Sequence, residues 1–452
     1  MSRYITTKIP FSLYKLALAK GGQILSALLV YLMLCELYRQ IVVPIYHFGG
    51  FNLADESKHE LVIPILLLFL MVVPTRVESM RTLFALISFY FLLLPAGVLC
   101  ALQGNDFLVF VVITASVFAT LVFSYLFDNF ISFSGNDISN CNSNKQSTKQ
   151  VYFWGLFSVL VVVLFAVVLH VDFITTISFL DVYDRRFDFN ESLYFPLNYL
   201  LPFAAGPLAS FLAVFSASKR EWGKLTLVLI CGFLFFAFST HKAFLFIPLF
   251  SVGVYFAVRS RLGLFYFFSI GFLGASIITL FAMDGLADLL GNVYANRLIF
   301  LPANISYVYF DEFSKIPSLY WAESKFGLGV FQSPLQLNSS NYIGFVMVGS
   351  EKISANTGWI ANGYMNFAWI GIAFYSVIIG FFLAALNRFS RRFDDYVIQA
   401  GFVAFIFNIV TSNDLLTAML TGGVLLMVIL LWILPSRSRF YKKSAEICSK
   451  NA

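Results

Sequence analysis

The chain has 452 residues, of which 59% are hydrophobic and only 12% charged, and its mean hydropathy is +0.82. No soluble globular domain has that balance, so the chain reads as an all-α integral membrane protein; its net charge of +6 is then no argument for a nucleic-acid partner. Five cysteines, Cys35, Cys100, Cys141, Cys231 and Cys448, show no paired spacing and suggest neither a disulfide framework nor a metal site.

A membrane-crossing helix needs roughly 20 apolar residues. Twelve stretches approach that length: 21–43, 60–75, 82–103, 107–127, 151–172, 196–218, 225–240, 243–258, 262–283, 359–386, 397–412 and 415–434. Arg3, Lys8, Lys15 and Lys20 precede the first with no acid among them, and no small-residue cleavage site follows it, which predicts an uncleaved signal anchor with a cytoplasmic N-terminus. Within that span Glu36 and Arg39 are three apart and predict a helical ion pair. The stretch 128–150, rich in Asn and Ser, predicts a flexible cytoplasmic loop.

Charge then orients the twelve spans. With the N-terminus inside, 21 of the 30 Lys and Arg fall in inward segments and 9 in outward ones, whereas the 24 acids divide 7 inward and 17 outward. This is the positive-inside pattern, and it puts both termini in the cytoplasm. Outward basic residues therefore need another reason to exist. Arg185 and Arg186 stand in the cluster Asp181-Val-Tyr-Asp184-Arg185-Arg186-Phe-Asp188, where paired guanidinium forks suit a phosphate and neighbouring carboxylates could equally neutralise them. His241 and Lys242 sit between two short apolar runs; a lysine so close to lipid snorkels or faces a cavity.

From Asp284 to Thr357 runs the longest polar stretch, outward and rich in Tyr, Asn, Gly and Ser. Its apolar content predicts order and short interfacial helices. Asn296 and Arg297 open one apolar run in it, with Asp284 or Asp288 as an alternative local partner for the arginine. Asn356, Gly358, Asn362, Gly363, Tyr364 and Gly371 lead from this segment into the tenth span, where small residues allow close helix packing and Asn and Tyr suit sugar hydroxyls. Asp184, Asp188, Asp311, Glu312, Glu323 and His241 are all candidates for a general base.

Many spans, a large outward loop before the antepenultimate one and arginines in two outward loops together resemble the Wzy-type oligosaccharide repeat-unit polymerases. The resemblance is carried by Arg185-Arg186, by Lys242 before an apolar run, by Arg297-Leu-Ile-Phe-Leu-Pro302 and by Asn356 through Tyr364 followed by Gly371. It implies one integral membrane domain of about 12 helices in the bacterial inner membrane, a single large periplasmic loop at 284–357 and a GT-C-like glycosyltransferase active site facing the periplasm. Donor and acceptor would be oligosaccharides on undecaprenyl diphosphate, with membrane lipid and a chain-length regulator as further partners and no cofactor or metal. Arg186, Arg297 and Lys242 would be the catalytic cations, with Arg185, His241, Asn296, Asn356, Asn362 and Tyr364 binding substrate. An O-antigen ligase-like transferase shares the layout, but such ligases usually carry a His in the large loop, and none lies between Asp284 and Thr357. A lipid-linked oligosaccharide flippase or other transporter fits twelve spans, yet the long loop and the lack of an evident internal repeat argue against it.

Overall fold

A computed structural model describes residues 11–54, 57–130, 145–170, 189, 193, 195–239, 241–282, 285–324, 327–390, 395–420 and 422–433. Among them, all regular structure is helical. Eight helices are long and apolar enough to cross a membrane: α1 Lys20–Gly49, α3 Met80–Leu102, α4 Phe107–Phe130, α5 Tyr152–Leu169, α6 Leu197–Ser218, α7 Trp222–Ser239, α9 Gly263–Phe281 and α12 Trp359–Ser390. Four shorter apolar helices, α2 His59–Val72, α8 Ala243–Arg259, α13 Asp395–Thr411 and α14 Leu415–Leu430, stand at the remaining positions expected from the sequence. By helix length and hydropathy the chain is a multi-pass membrane protein.

Burial separates the centre of the bundle from its lipid-facing rim. Helix α3 is enclosed along its length. By contrast, Leu25, Leu29 and Leu32 of α1, Val162 and Phe165 of α5, and Ile270, Ile277 and Ile278 of α9 are exposed. In water such belts would be aggregation sites; against hydrocarbon they are the expected outer surface.

The connections sort to two ends. At one, Lys20 Nζ donates to the carbonyls of Leu70 (3.0 Å) and Val73 (2.8 Å), Arg76 donates to the Arg261 carbonyl (3.2 Å), and Arg81 and Arg388 flank Asp128. At the other, Lys58 Nζ donates to the Gly104 carbonyl (3.1 Å), Gln103 to that of Gly50 (3.1 Å) and Asn304 to that of Gly49 (3.1 Å). The first set comes from segments read as inward and the second from segments read as outward. Glu36 and Arg39 form the anticipated pair at 4.0 Å. Helix α4 runs to Phe130, so Asp128 is a helical, buried residue rather than the first residue of a loop.

Two further helices lie in the long segment at the second end, α10 over residues 286–313 and α11 Ser339–Val348. Helix α10 is laid across the ends of several spans: Tyr294 donates to the Phe272 carbonyl, Tyr307 to the Ala96 carbonyl (both 3.0 Å), and Phe300 packs on Tyr38 with ring centroids 5.2 Å apart. Residues Gly291–Phe300 within it are a π-helix, and so are Tyr38–Val42 of α1 against which they pack. Wide turns of this kind are rare and cluster at functional sites.

The expected uninterrupted tenth span is broken. Phe367 (φ −144°) and Ala368 (φ 50°) leave helical geometry, dividing α12 into a short first part and a long second part. The backbone of Gly363 then lies against that of Gly371; a Cβ on Gly363 would come 3.0 Å from the Gly371 carbonyl oxygen. The small residues here do allow close packing: Gly363 and Gly371 between the two parts of one helix, and Gly358 against the Ile409 and Val410 carbonyls of α13.

Candidate functional site

A broken helix frees backbone carbonyls that need donors. Here they are met from the long segment. Leu319 N–H donates to the Met365 carbonyl (3.1 Å), Tyr320 N–H to the Asn366 carbonyl (3.0 Å), and Trp321 N–H to Asn366 Oδ1 (2.9 Å). To make these bonds Tyr320 and Trp321 adopt φ of 49° and 61°, a left-handed conformation that costs a non-glycine residue energy. With Ala368, three such residues meet in one place, and the Phe367 ring packs edge-on against Trp321 at 4.9 Å. Strained backbone held by its surroundings is a marker of function.

Around the break the polar side chains form a chain. Trp321 Nε1 donates to the Tyr375 hydroxyl (2.9 Å), which donates to Asn362 Oδ1 (3.2 Å); Asn366 Nδ2 donates to the same oxygen (3.0 Å). Asp414 completes the cluster. It lies in the turn between α13 and α14, near enough to act on the Tyr375 hydroxyl, and caps the next helix by accepting from Thr417 N–H (3.3 Å). Its Oδ1 is buried, and the carboxylate faces the Tyr375 hydroxyl and the N–H groups that open α14. Burial raises the Asp414 pKa above the ordinary carboxylate value, against the opposing pull of the Thr417, Leu416 and Leu415 N–H groups. A carboxyl so tuned is suited to proton transfer.

Asp414 was invisible as a candidate in the sequence, where Ser412-Asn-Asp414 reads only as a polar turn between two apolar runs. The acids singled out there are placed otherwise. Lys315 Nζ bridges Asp311 and Glu312 at 2.9 Å each, and Glu312 also accepts from the Tyr342 hydroxyl (2.9 Å). Glu323 accepts from the backbone N–H of Ser339 (2.9 Å) and from its hydroxyl (2.7 Å), anchoring the start of α11. Asp184 and Asp188 lie outside the described residues, as do Arg185 and Arg186.

Of the basic residues, Arg297 is exposed on the π-helical part of α10, its Nε donating to Asn292 Oδ1 (3.2 Å), and its charge opposes that of Asp288 at Tyr46. Asn296 beside it is buried, with Oδ1 unpartnered. Lys242 stands at the N-terminal end of α8 after His241, whose ring is 5.3 Å from that of Phe244. Helices α8 and α13 touch through Phe250 and Phe407, rings 6.0 Å apart. Lys242 precedes Phe250 by eight residues and Asp414 follows Phe407 by seven, so both lie toward the same end of these two helices. Arg297 lies twelve residues along α10 from Tyr309, which feels the Asp414 charge. Asn362 belongs to the polar chain, Tyr364 is buried between Phe310 (4.6 Å) and Trp369 (4.9 Å), and Asn356 is exposed, accepting from Ser354 (3.4 Å).

A cavity of about 640 Å³ lies at the opposite end, beside Arg81 and Asp128. The break in α12 remains the better candidate for chemistry, because strained backbone and a buried titratable carboxyl coincide there. Compared with known proteins, the chain matches no family model, no curated protein and no solved structure.

Proposed function

We propose that this protein is a membrane glycosyltransferase that polymerises oligosaccharide repeat units carried on undecaprenyl diphosphate, working at the periplasmic face. The observation that carries the reading is Asp414, a buried carboxyl beside the broken helix and beneath the long segment, in the turn after a helix that packs against the one Lys242 opens. Transfer from a lipid diphosphate to a sugar hydroxyl needs two things of the protein: a cation where charge grows on the departing diphosphate, and a base for the hydroxyl proton. Lys242 supplies the first and Asp414 the second. The hydroxyl oxygen attacks the anomeric carbon, the bond to the diphosphate oxygen breaks, and Asp414 takes the proton. Arg185 and Arg186 are further candidates for the diphosphate.

Arg297, twelve residues along α10 from Tyr309, suits the second lipid-linked substrate. A polymerase handles two diphosphates, and the acceptor reacts at the glycan end remote from its own lipid.

The test is a deletion strain. Loss of the gene is expected to leave surface glycan capped at one repeat on lipid A-core. Unattached lipid-linked polymer over bare core would instead identify a ligase, and undiminished long chains in a non-redundant background would remove the transferase reading.

A further inference from the structure

The cavity at the inward end is lined on one side by lipid-facing apolar residues and on the other by charge. Phe118 and Val122 of α4 are 46% and 41% exposed along its flank. At its head Arg81 Nη1 is 3.3 Å from Asp128 Oδ2, with Arg388 Nε 3.2 Å from Oδ1 behind it. Asn387 also lines it and is 4% exposed; its Oδ1 accepts the Met80 N–H (2.7 Å), which fixes the amide and leaves Nδ2, a buried donor, without a partner. Met80 opens α3, so the positive end of that helix dipole is at the same place. These are features that take a phosphate.

The remaining lining charges are negative. Glu78 and Asp395 are exposed at the cavity, and neither is in an ion pair with a described residue. Among the described residues, Arg81, Arg388, Asp128, Glu78 and Asp395 give the head one net negative charge, which disfavours a purely anionic ligand. A group with a phosphate and an ammonium a few bonds apart matches both halves. An apolar flank open to the bilayer requires that this group carry acyl chains. A volume of about 640 Å³ is in the ordinary range for ligand sites.

We infer that this cleft is a binding site for a zwitterionic phospholipid with a primary ammonium headgroup, of the phosphatidylethanolamine type. Its phosphate meets Arg81 and Asn387 Nδ2, its ammonium meets Glu78 and Asp395, and a chain follows Phe118 and Val122. The site is independent of the chemistry proposed for the other end.

Native mass spectrometry of the full chain in detergent, titrated with phosphatidylethanolamine, phosphatidylglycerol and phosphatidylcholine of matched chains, tests this. The wild type is expected to hold the ethanolamine lipid about tenfold more tightly than the glycerol lipid, the scale of two partly solvated ion pairs. Glu78→Gln with Asp395→Asn, both at exposed positions, is expected to erase that preference while the protein still folds. Val122→Trp should weaken all three lipids. Equal retention of ethanolamine and glycerol headgroups, a preference that survives E78Q/D395N, or equal binding of soluble phosphoethanolamine each overturns the proposal.

Discussion

The Gly363 and Gly371 backbones are in contact across the break in α12, although eight residues of straight helix would hold them about 12 Å apart. Neither position has room for a side chain: a Cβ on Gly371 would run into the Gly363 carbonyl. The contact sets the angle at which the short first part of α12 presents Asn362 and Asn366 to Trp321 and Tyr375.

Gly371→Ala should therefore destabilise the protein by about 1–3 kcal/mol, the usual cost of overpacking a filled site. Thermal unfolding of the detergent-solubilised protein measures it. Gly274→Ala in α9, where a Cβ meets nothing within 4 Å, is the control and should leave the transition unmoved.

Asp414→Asn keeps a side chain able to cap α14 but cannot accept a proton. Polymer formation should fall about 10²–10⁴-fold with protein levels maintained. In the wild type the rate should rise with pH as Asp414 ionises, and this limb should lie above the ordinary carboxylate range because burial raises the pKa. Stability has the opposite sign. A folded-state pKa above the unfolded value means the native protein binds more protons, so this contribution is full at pH below the unfolded pKa and is lost as pH rises through the folded one. A pH–rate profile with no limb removed by Asp414→Asn would exclude the residue as the base.

Arg297→Ala should abolish long-chain polymer, a loss of about 10²–10³-fold, without lowering the amount of protein in the membrane, since the residue is exposed. Arg297→Lys should recover only part of it, because the planar fork is gone. Full activity in the alanine variant would exclude Arg297 from the transfer reaction.

Asp128 joins α3, α4 and α12 through Arg81 and Arg388. Asp128→Ala leaves two arginines facing each other in a mostly buried place, and should cost about 3–5 kcal/mol. The measurement is the yield of monodisperse protein together with its unfolding temperature; an unchanged transition would show the triad to be solvated.

Orientation is open to reporter fusions. A fusion after Gly327 should report the periplasm and one after Lys443 the cytoplasm, because the inward segments collect the basic residues. A cytoplasmic signal after Gly327 would put the break in α12 on the wrong side for a lipid-linked donor.

The sequence by itself determined where the helices are and how their ends sort. Hydropathy is a local sum, and a stretch such as 107–127 is committed to a helix whatever it packs against, since an unbonded backbone is too costly in hydrocarbon. Lys20, Arg76 and Arg81 on one side follow the charge rule before any contact is known. Tertiary structure alone decided the sites. Trp321 and Tyr375 are 54 residues apart, Met80 and Asn387 307 apart, and no pattern within one helix announces either pair. The break at Phe367–Ala368 lies inside an apolar run that reads as continuous, and it exists because residues 319–321 supply the hydrogen bonds that the run gives up. Asp414 is an ordinary turn residue until folding buries it beside Tyr375, and desolvation is a property of the surroundings that no short segment encodes.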